Sequence, residues 1–285
     1  LLLTSGSMLL DYFTGIDVGT VRAEGMEAYT GALTAPQIYL EIDNFNGPIQ
    51  VTTRSADSYE ITVTIIAKGT SQQQADERLQ EFIDNIQFSE TIEPNQHRLI
   101  VHYNVANHLS SRYSVEVDVI LPAGGLLEAN LESSNGGISL SQVMGTVLQL
   151  QTSNGALSLD EVIADQISGQ TSNGGIEGKI MANQTQIATS NGGITLQLAP
   201  PGSGDYELST SNGPVRITLS SASNIGYDLD LSTSNGDIDL DLSDLEYAVN
   251  QRTSKEAATV GFESKDIQVI LKIDTSNANI DIVTP

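Results

Sequence analysis

Cysteine and tryptophan are both missing from these 285 residues, and aromatics make up only 5 % of them. Without Cys there is neither a disulfide scaffold nor a thiolate metal site. With so few rings, the core has to come from Leu, Ile and Val. Basic residues are scarce too: 12 Lys and Arg stand against 36 Asp and Glu, a net charge of −24. That balance argues against nucleic acid as a partner, since binding it needs a basic footprint. An anionic membrane surface is disfavoured on the same ground. An acidic surface keeps exported proteins dispersed and can gather divalent cations; plain solubility is its simplest use. No run approaches the roughly 20 apolar residues of a membrane helix. The first residue is Leu rather than Met, which reads as an exported chain whose leader has been removed.

What is abundant is one tetrapeptide. Thr-Ser-Asn-Gly, or a close variant, ends at Asn135, Asn154, Asn173, Asn191, Asn212, Asn235 and Asn277 plus the residue after each. These asparagines lie 18 to 23 residues apart until one gap of 42 before the last, a period typical of a solenoid. Flanking positions repeat as well. Leu131, Leu150, Ile187, Leu208, Leu231 and Ile273 precede the asparagines by four, and Ile138, Leu157, Ile176, Ile194, Val215, Ile238 and Ile280 follow by three.

On a strand every second side chain shares a face. Counting back from Asn puts the apolar column, the Thr column and the Asn itself inward, with the Ser column outward. Gly then breaks the strand by supplying backbone conformations that other residues avoid. Stacked coil on coil, the seven asparagines would form an internal ladder. Asn-Gly is also a hairpin signal, but identical columns over seven units favour stacking. The expected fold is therefore all-β: a parallel β-solenoid of about seven coils, with a small N-terminal α+β portion carrying one amphipathic helix.

Three segments follow from the pattern. Residues 1–35 lack a period and read as an extended tail for assembly or anchoring, with Leu1, Leu2, Leu3, Leu9 and Leu10 as its contacts with another subunit. Residues 36–121 hold alternating strands and the helix. Asn46-Gly47 there marks a degenerate first coil, and Ser71 with Gln74 makes a capping box ahead of the stripe Ala75, Leu79, Phe82, Ile83 and Ile86. Residues 122–285 form the solenoid, interrupted at about 243–266 by an insertion expected to protrude as a loop or hairpin.

Together the Asn-Gly-Pro-Ile strand, the single helix, Val117-x-Val119-x-Leu121-Pro122 and the serial T-S-N-G-x-I units resemble the bacterial and archaeal adhesin-like envelope family. The resemblance spans roughly Pro36 to the C-terminus. It implies a parallel β-solenoid, export or anchoring at the cell envelope and no known catalytic activity.

The residues themselves offer little chemistry. Asp228, Asp230, Asp237, Asp239 and Asp241 alternate with Leu and Ile, so they form an outward acidic strand face and only a weak Ca²⁺ candidate. His97, His102 and His108 accompany no nucleophile motif, and no GxSxG, phosphate loop or HExxH occurs. Asn183-Gln184-Thr185 is an isolated glycosylation sequon. No cofactor is expected. The functional expectation is a non-enzymatic structural or adhesive protein, extracellular or at the cell surface. It would self-associate into a filament by strand addition at an uncapped last coil, Asp274–Val283. The alternative is a monomeric, envelope-anchored module that binds a surface glycan.

Overall fold

The computed structural model of the chain describes residues 20–103 and 107–285. The tail contacts Leu1, Leu2, Leu3, Leu9 and Leu10 fall outside them. In chain order, β1 (Val21–Ala32) precedes β2 (Gln37–Asn44) and β3 (Ile49–Arg54), which flank the first corner. Then come β4 (Ser58–Gly69), helix α1 (Gln72–Asp84), β5 (Ile86–Ile92), β6 (Gln96–Tyr103) and β7 (Tyr113–Pro122). The repeats supply β8 (Leu126–Ser133), β9 (Ile138–Ser141), β10 (Met144–Thr152), β11 (Leu157–Thr171), β12 (Ile176–Thr189) and β13 (Ile194–Leu198). They continue with β14 (Gly204–Thr210), β15 (Val215–Leu219), β16 (Ile225–Thr233) and β17 (Ile238–Asp241). The insertion contributes β18 (Leu245–Asn250) and β19 (Ser254–Thr259), and the chain closes with β20 (Ile267–Thr275) and β21 (Ile280–Val283).

Parallel pairing stacks these strands into coils. The arm before each corner runs β6, β2, β8, β10, β11, β12, β14, β20, β16. The arm after it runs β7, β3, β9, β11, β12, β13, β15, β21, β17. Along a middle coil, alternation of buried and exposed residues breaks at three outward pairs: Ser153-Asn154, Asp160-Glu161 and Asp165-Gln166. Each break is a bend, so the coil has three short sides. Gln142 and Glu161 take the second bend in the left-handed region, at φ 56° and 53°. Inside, Leu, Ile and Val stack in columns such as Ile49, Ile138, Leu157, Ile176, Ile194, Val215 and Ile280, all buried. Each contributes about 1.5–3 kcal/mol of burial.

Stacking order departs from chain order at both ends. The first coil, β2 with β3, sits between β6/β7 and β8/β9. The last, β20 with β21, slots between β14/β15 and β16/β17. This corrects the expectation that Asp274–Val283 is an open end. The outermost coil is β16/β17, and β19 of the insertion covers β16 in antiparallel register, Asp228 opposite Ala258 through Ser232 opposite Ser254. The insertion is thus a hairpin that caps instead of protruding freely. A terminal coil with one bare edge would fray; sandwiched, it has both edges paired.

At the opposite end β5 pairs antiparallel to β6, β4 to β7, and β1 to β4. Residues 21–32 of the expected intersubunit tail therefore pack on their own chain. Ser71 caps α1 by accepting the Gln74 N–H, and Ala75, Leu79 and Phe82 bury the helix against the end of the stack. Phe82 meets Phe45, Tyr103 and Tyr113 there.

Candidate functional site: stacked corners and outer flanks

The repeated tetrapeptide builds one continuous structure, with a different division of labour from that expected. Thr is the inward residue: Thr152, Thr171, Thr189, Thr210, Thr233 and Thr275 are buried, as is Ser133 in the same column. Ser and Asn both lie on the bend and are exposed, at Ser153-Asn154, Ser172-Asn173 and Ser190-Asn191 alike. The outward Asn is a correction. Strand parity holds only while the backbone runs straight, and here it turns immediately after Thr.

Each Thr hydroxyl joins two coils. Thr171 Oγ1 accepts the Gly174 N–H at 3.2 Å and donates to Gly155 O of the preceding coil at 2.8 Å. Thr152, Thr189 and Thr210 repeat both bonds. A hydroxyl has one donor and spare acceptor capacity, so one short side chain satisfies two otherwise buried backbone groups. In the first coil Asn44 takes the Thr place, and its longer amide reaches Gly47 O at 3.0 Å and Val115 O at 2.8 Å. That longer reach suits a neighbouring coil, at β7, that lacks the tetrapeptide.

Outside, the asparagines form an amide ladder. Asn154 donates to Asn135 Oδ1, Asn173 to Asn154, Asn191 to Asn173 and Asn212 to Asn191, at 2.7–2.9 Å. Asn277 then donates to Asn212 at 2.8 Å, and Asn235 to Asn277 at 2.7 Å. Asn46 starts the ladder by accepting from Asn135. All seven expected asparagines are brought together, with Asn46 added and Asn277 out of sequence.

Gly is required for closeness rather than for backbone freedom. A Cβ on Gly155, Gly174, Gly192 or Gly213 would stand 1.8–1.9 Å from a carbonyl oxygen of the coil below, and none of these four has a positive φ.

The weak Ca²⁺ candidates do not converge. Asp228 and Asp230 lie on β16, whereas Asp237, Asp239 and Asp241 lie beyond the corner. Asp237 pairs with Arg252 at 2.9 Å. Among the described residues no group of three or more His, Asp or Glu is placed to hold a metal ion. His97 is buried with Nε2 2.8 Å from Glu90 Oε1, His102 lies 3.2 Å from Glu41, and His108 falls in the short turn Asn107–Arg112. Sequon residue Asn183 is half-buried at a bend beside Asp165, and its Thr185 points inward.

Sequence reasoning missed Arg252. Its guanidinium donates to Gly236 O at 2.9 Å, closing the last corner as a further Thr would. A lone Arg in an acidic insertion was the available signal.

Two shallow depressions mark the flanks. One, about 550 Å³, crosses the arm before the corner and is lined by Gln149, Gln166, Ser168, Gln184 and Gln186, with Asp205 and Lys272 at its side. The other, about 590 Å³, crosses the arm after it, over Ser139, Ser141, Ser158, Thr195, Gln197 and Thr218. Both present amides and hydroxyls at the coil spacing, interrupted by carboxylates: Asp205 and Glu207 in the first, Asp160 and Glu177 in the second.

With coils, corners and helix cap in place, the decisive comparison is the match of one family profile, Toastrack DUF4097, to residues 39–283. The chain belongs to the Toastrack DUF4097 family. A comparison with curated proteins finds no match. Among solved structures, the Toastrack chain is similar to a proposed cell adhesion protein from Clostridium sporogenes, at 9 % identity and TM-score 0.39, covering 91 % of this chain and 100 % of that one. It is likewise similar to a proposed adhesin from Bacteroides fragilis, at 8 % identity and TM-score 0.41, covering 90 % and 97 %. A proposed lipid binding protein from Parabacteroides distasonis matches at 11 % identity and TM-score 0.35, covering 90 % and 96 %. Values this low carry no inference about what the Toastrack chain binds. Among the described residues no helix is long and apolar enough to cross a membrane.

Proposed function

We propose that this chain is a non-enzymatic, exported surface module that displays its solenoid flank to a neutral glycan. The observation that carries this reading is the cover that the chain's own strands lay over the outer coil at each end of the stack. With β1, β4 and β5 over one end and β18 and β19 over the other, the flanks are the extended surface left for contact. Side chains there repeat coil by coil in the Gln149 to Gln186 depression and in the Ser139 to Thr218 depression. Amides and hydroxyls offer both donors and acceptors to sugar hydroxyls, and the net charge of −24 turns away acidic polysaccharides. Adhesion then follows from many weak, repeated contacts on a rigid frame. No cofactor takes part.

Self-association into a filament is the second reading. It rests on β1, β5, β17 and β18, each hydrogen-bonded to one strand only among the described residues, since an edge strand can template another chain. A glycan array with the purified chain, read beside negative-stain images of the same material, tests both. Binding of neutral glycans that is lost in Gln166→Ala/Gln184→Ala, with single particles on the grid, supports the module. Fibres without glycan binding overturn it in favour of the filament.

A further inference from the structure

Six corners place an exposed Asn directly before Gly, with Ser or Thr two residues earlier: Asn135, Asn154, Asn173, Asn191, Asn212 and Asn235. An Asn-Gly bond is chemically vulnerable because Gly leaves its nitrogen unshielded by a Cβ. That nitrogen attacks Asn Cγ; the N–Cγ bond forms as Cγ–Nδ2 breaks, and the amide proton leaves with Nδ2 as ammonia. Water then opens the succinimide at either carbonyl, giving aspartate or isoaspartate. Exposed as they are, these side chains would be expected to react steadily.

Both reacting groups are held in the stacked corner. The nucleophile is engaged: Gly155, Gly174, Gly192, Gly213 and Gly236 donate their N–H groups to Thr Oγ1 at 3.0–3.2 Å, and Gly136 donates to Ser133 Oγ at 3.0 Å. The leaving nitrogen is engaged as well, since each Nδ2 donates to the next Oδ1 along the ladder. Rotation of the peptide toward Cγ is blocked too, because Gly174 lies so close to the coil below that even a Cβ would meet Gly155 O at 1.9 Å.

We infer that these corners are latent succinimide sites, silent while the coils are stacked and reactive once a coil opens. The modification is then a one-way record of local opening. A carboxylate has no Nδ2 to donate along the ladder, and isoaspartate adds a methylene to the main chain, so a converted corner cannot restack.

Peptide mass spectrometry with enzymatic isoaspartate detection, after ageing in mildly alkaline buffer, tests this. Native protein should convert at least about tenfold more slowly than protein held unfolded in urea, because a stacked corner is open only part of the time. In Thr171→Val, isoaspartate should rise several-fold at Asn173 relative to Asn212 of the same molecules, and Thr171→Ser should restore the native rate. Native conversion at the urea rate overturns the inference, as does a folded Thr171→Val in which Asn173 reacts no faster than Asn212. If Thr171→Val does not fold, amide exchange in the native chain decides. Corner-by-corner conversion should follow exchange of the Gly N–H, and rates unrelated to that exchange refute the lock.

Discussion

Gly174→Ala and Gly175→Ala, adjacent substitutions in one corner, should move stability in opposite directions. On chain entropy alone, either change would stabilise by about 0.4–1 kcal/mol, because Gly has more unfolded-state freedom to lose. At Gly174 that gain is overrun. The new Cβ would stand 1.9 Å from Gly155 O and 2.4 Å from Gly155 C, both main-chain atoms that cannot swing aside. An ordinary carbon–oxygen contact of roughly 3.3 Å requires the coils to part locally by about 1.4 Å.

That displacement carries three bonds beyond hydrogen-bonding range. They are Thr171 Oγ1 to Gly155 O at 2.8 Å, Asn173 Nδ2 to Asn154 Oδ1 at 2.7 Å, and Asn173 N–H to Ser153 O at 3.0 Å. At about 1 kcal/mol each, with buried partners left unsatisfied, the gross loss is about 3–4 kcal/mol and the net about 2–3. Gly175 differs. Its Cβ would meet nothing closer than Gly193 O at 3.4 Å, and Ala156 already holds that column one coil earlier, so Gly175→Ala should gain about 0.5 kcal/mol. The chain contains its own partial control at Ala278, which stands in the Gly column. There the Thr275 Oγ1 to Gly213 O bond is stretched to 3.4 Å. Urea unfolding followed by far-ultraviolet circular dichroism measures both variants, with no Trp available as a probe. A Gly174→Ala midpoint at or above wild type, with an unchanged denaturant slope, refutes the close-approach argument.

Thr185 points inward with its hydroxyl lacking a partner among the described residues, so Thr185→Val should raise stability by about 1 kcal/mol; a loss in thermal melting would reveal a hidden partner. Asn191→Ala breaks the exposed ladder bonds to Asn173 and from Asn212 and should cost about 0.5–1.5 kcal/mol, whereas a loss above about 3 would return that side chain to the interior. Arg252→Ala removes the bonds to Gly236 O and Asp237 and should speed amide exchange in β19 and β16 while leaving β10 to β12 unchanged; uniform acceleration would deny the cap. Burial pushes the phenols of Tyr206 and Tyr227 up to about 12 from an ordinary 10.0. The unfolded chain therefore loses those protons first, so stability is whole below pH 10 and falls as pH climbs toward 12. Tyr206→Phe should flatten that alkaline fall, and an unchanged slope would contradict it.

Local features were legible in the sequence for a physical reason: they depend on neighbours along the chain. The 18 to 23 residue period fixes one coil, because each coil spends one repeat with its apolar residues at set offsets from the Asn-Gly corner. The capping box at Ser71 and the stripe Ala75, Leu79 and Phe82 fix the helix in the same way. Which residue of Thr-Ser-Asn faces inward was not legible, since parity cannot say where the backbone begins to bend. Stacking order was not legible either. Most corners present the same Thr hydroxyl, Asn amide and Gly carbonyl, and every repeat corner keeps the Asn amide, so Asn277 is chemically able to stack on several of them. The 42-residue gap announces an insertion but not its destination. Only the folded chain places Asn277 between Asn212 and Asn235, because there both edges of the final coil are paired while the insertion, tied by chain continuity to β17, is left to cover the outer edge of β16.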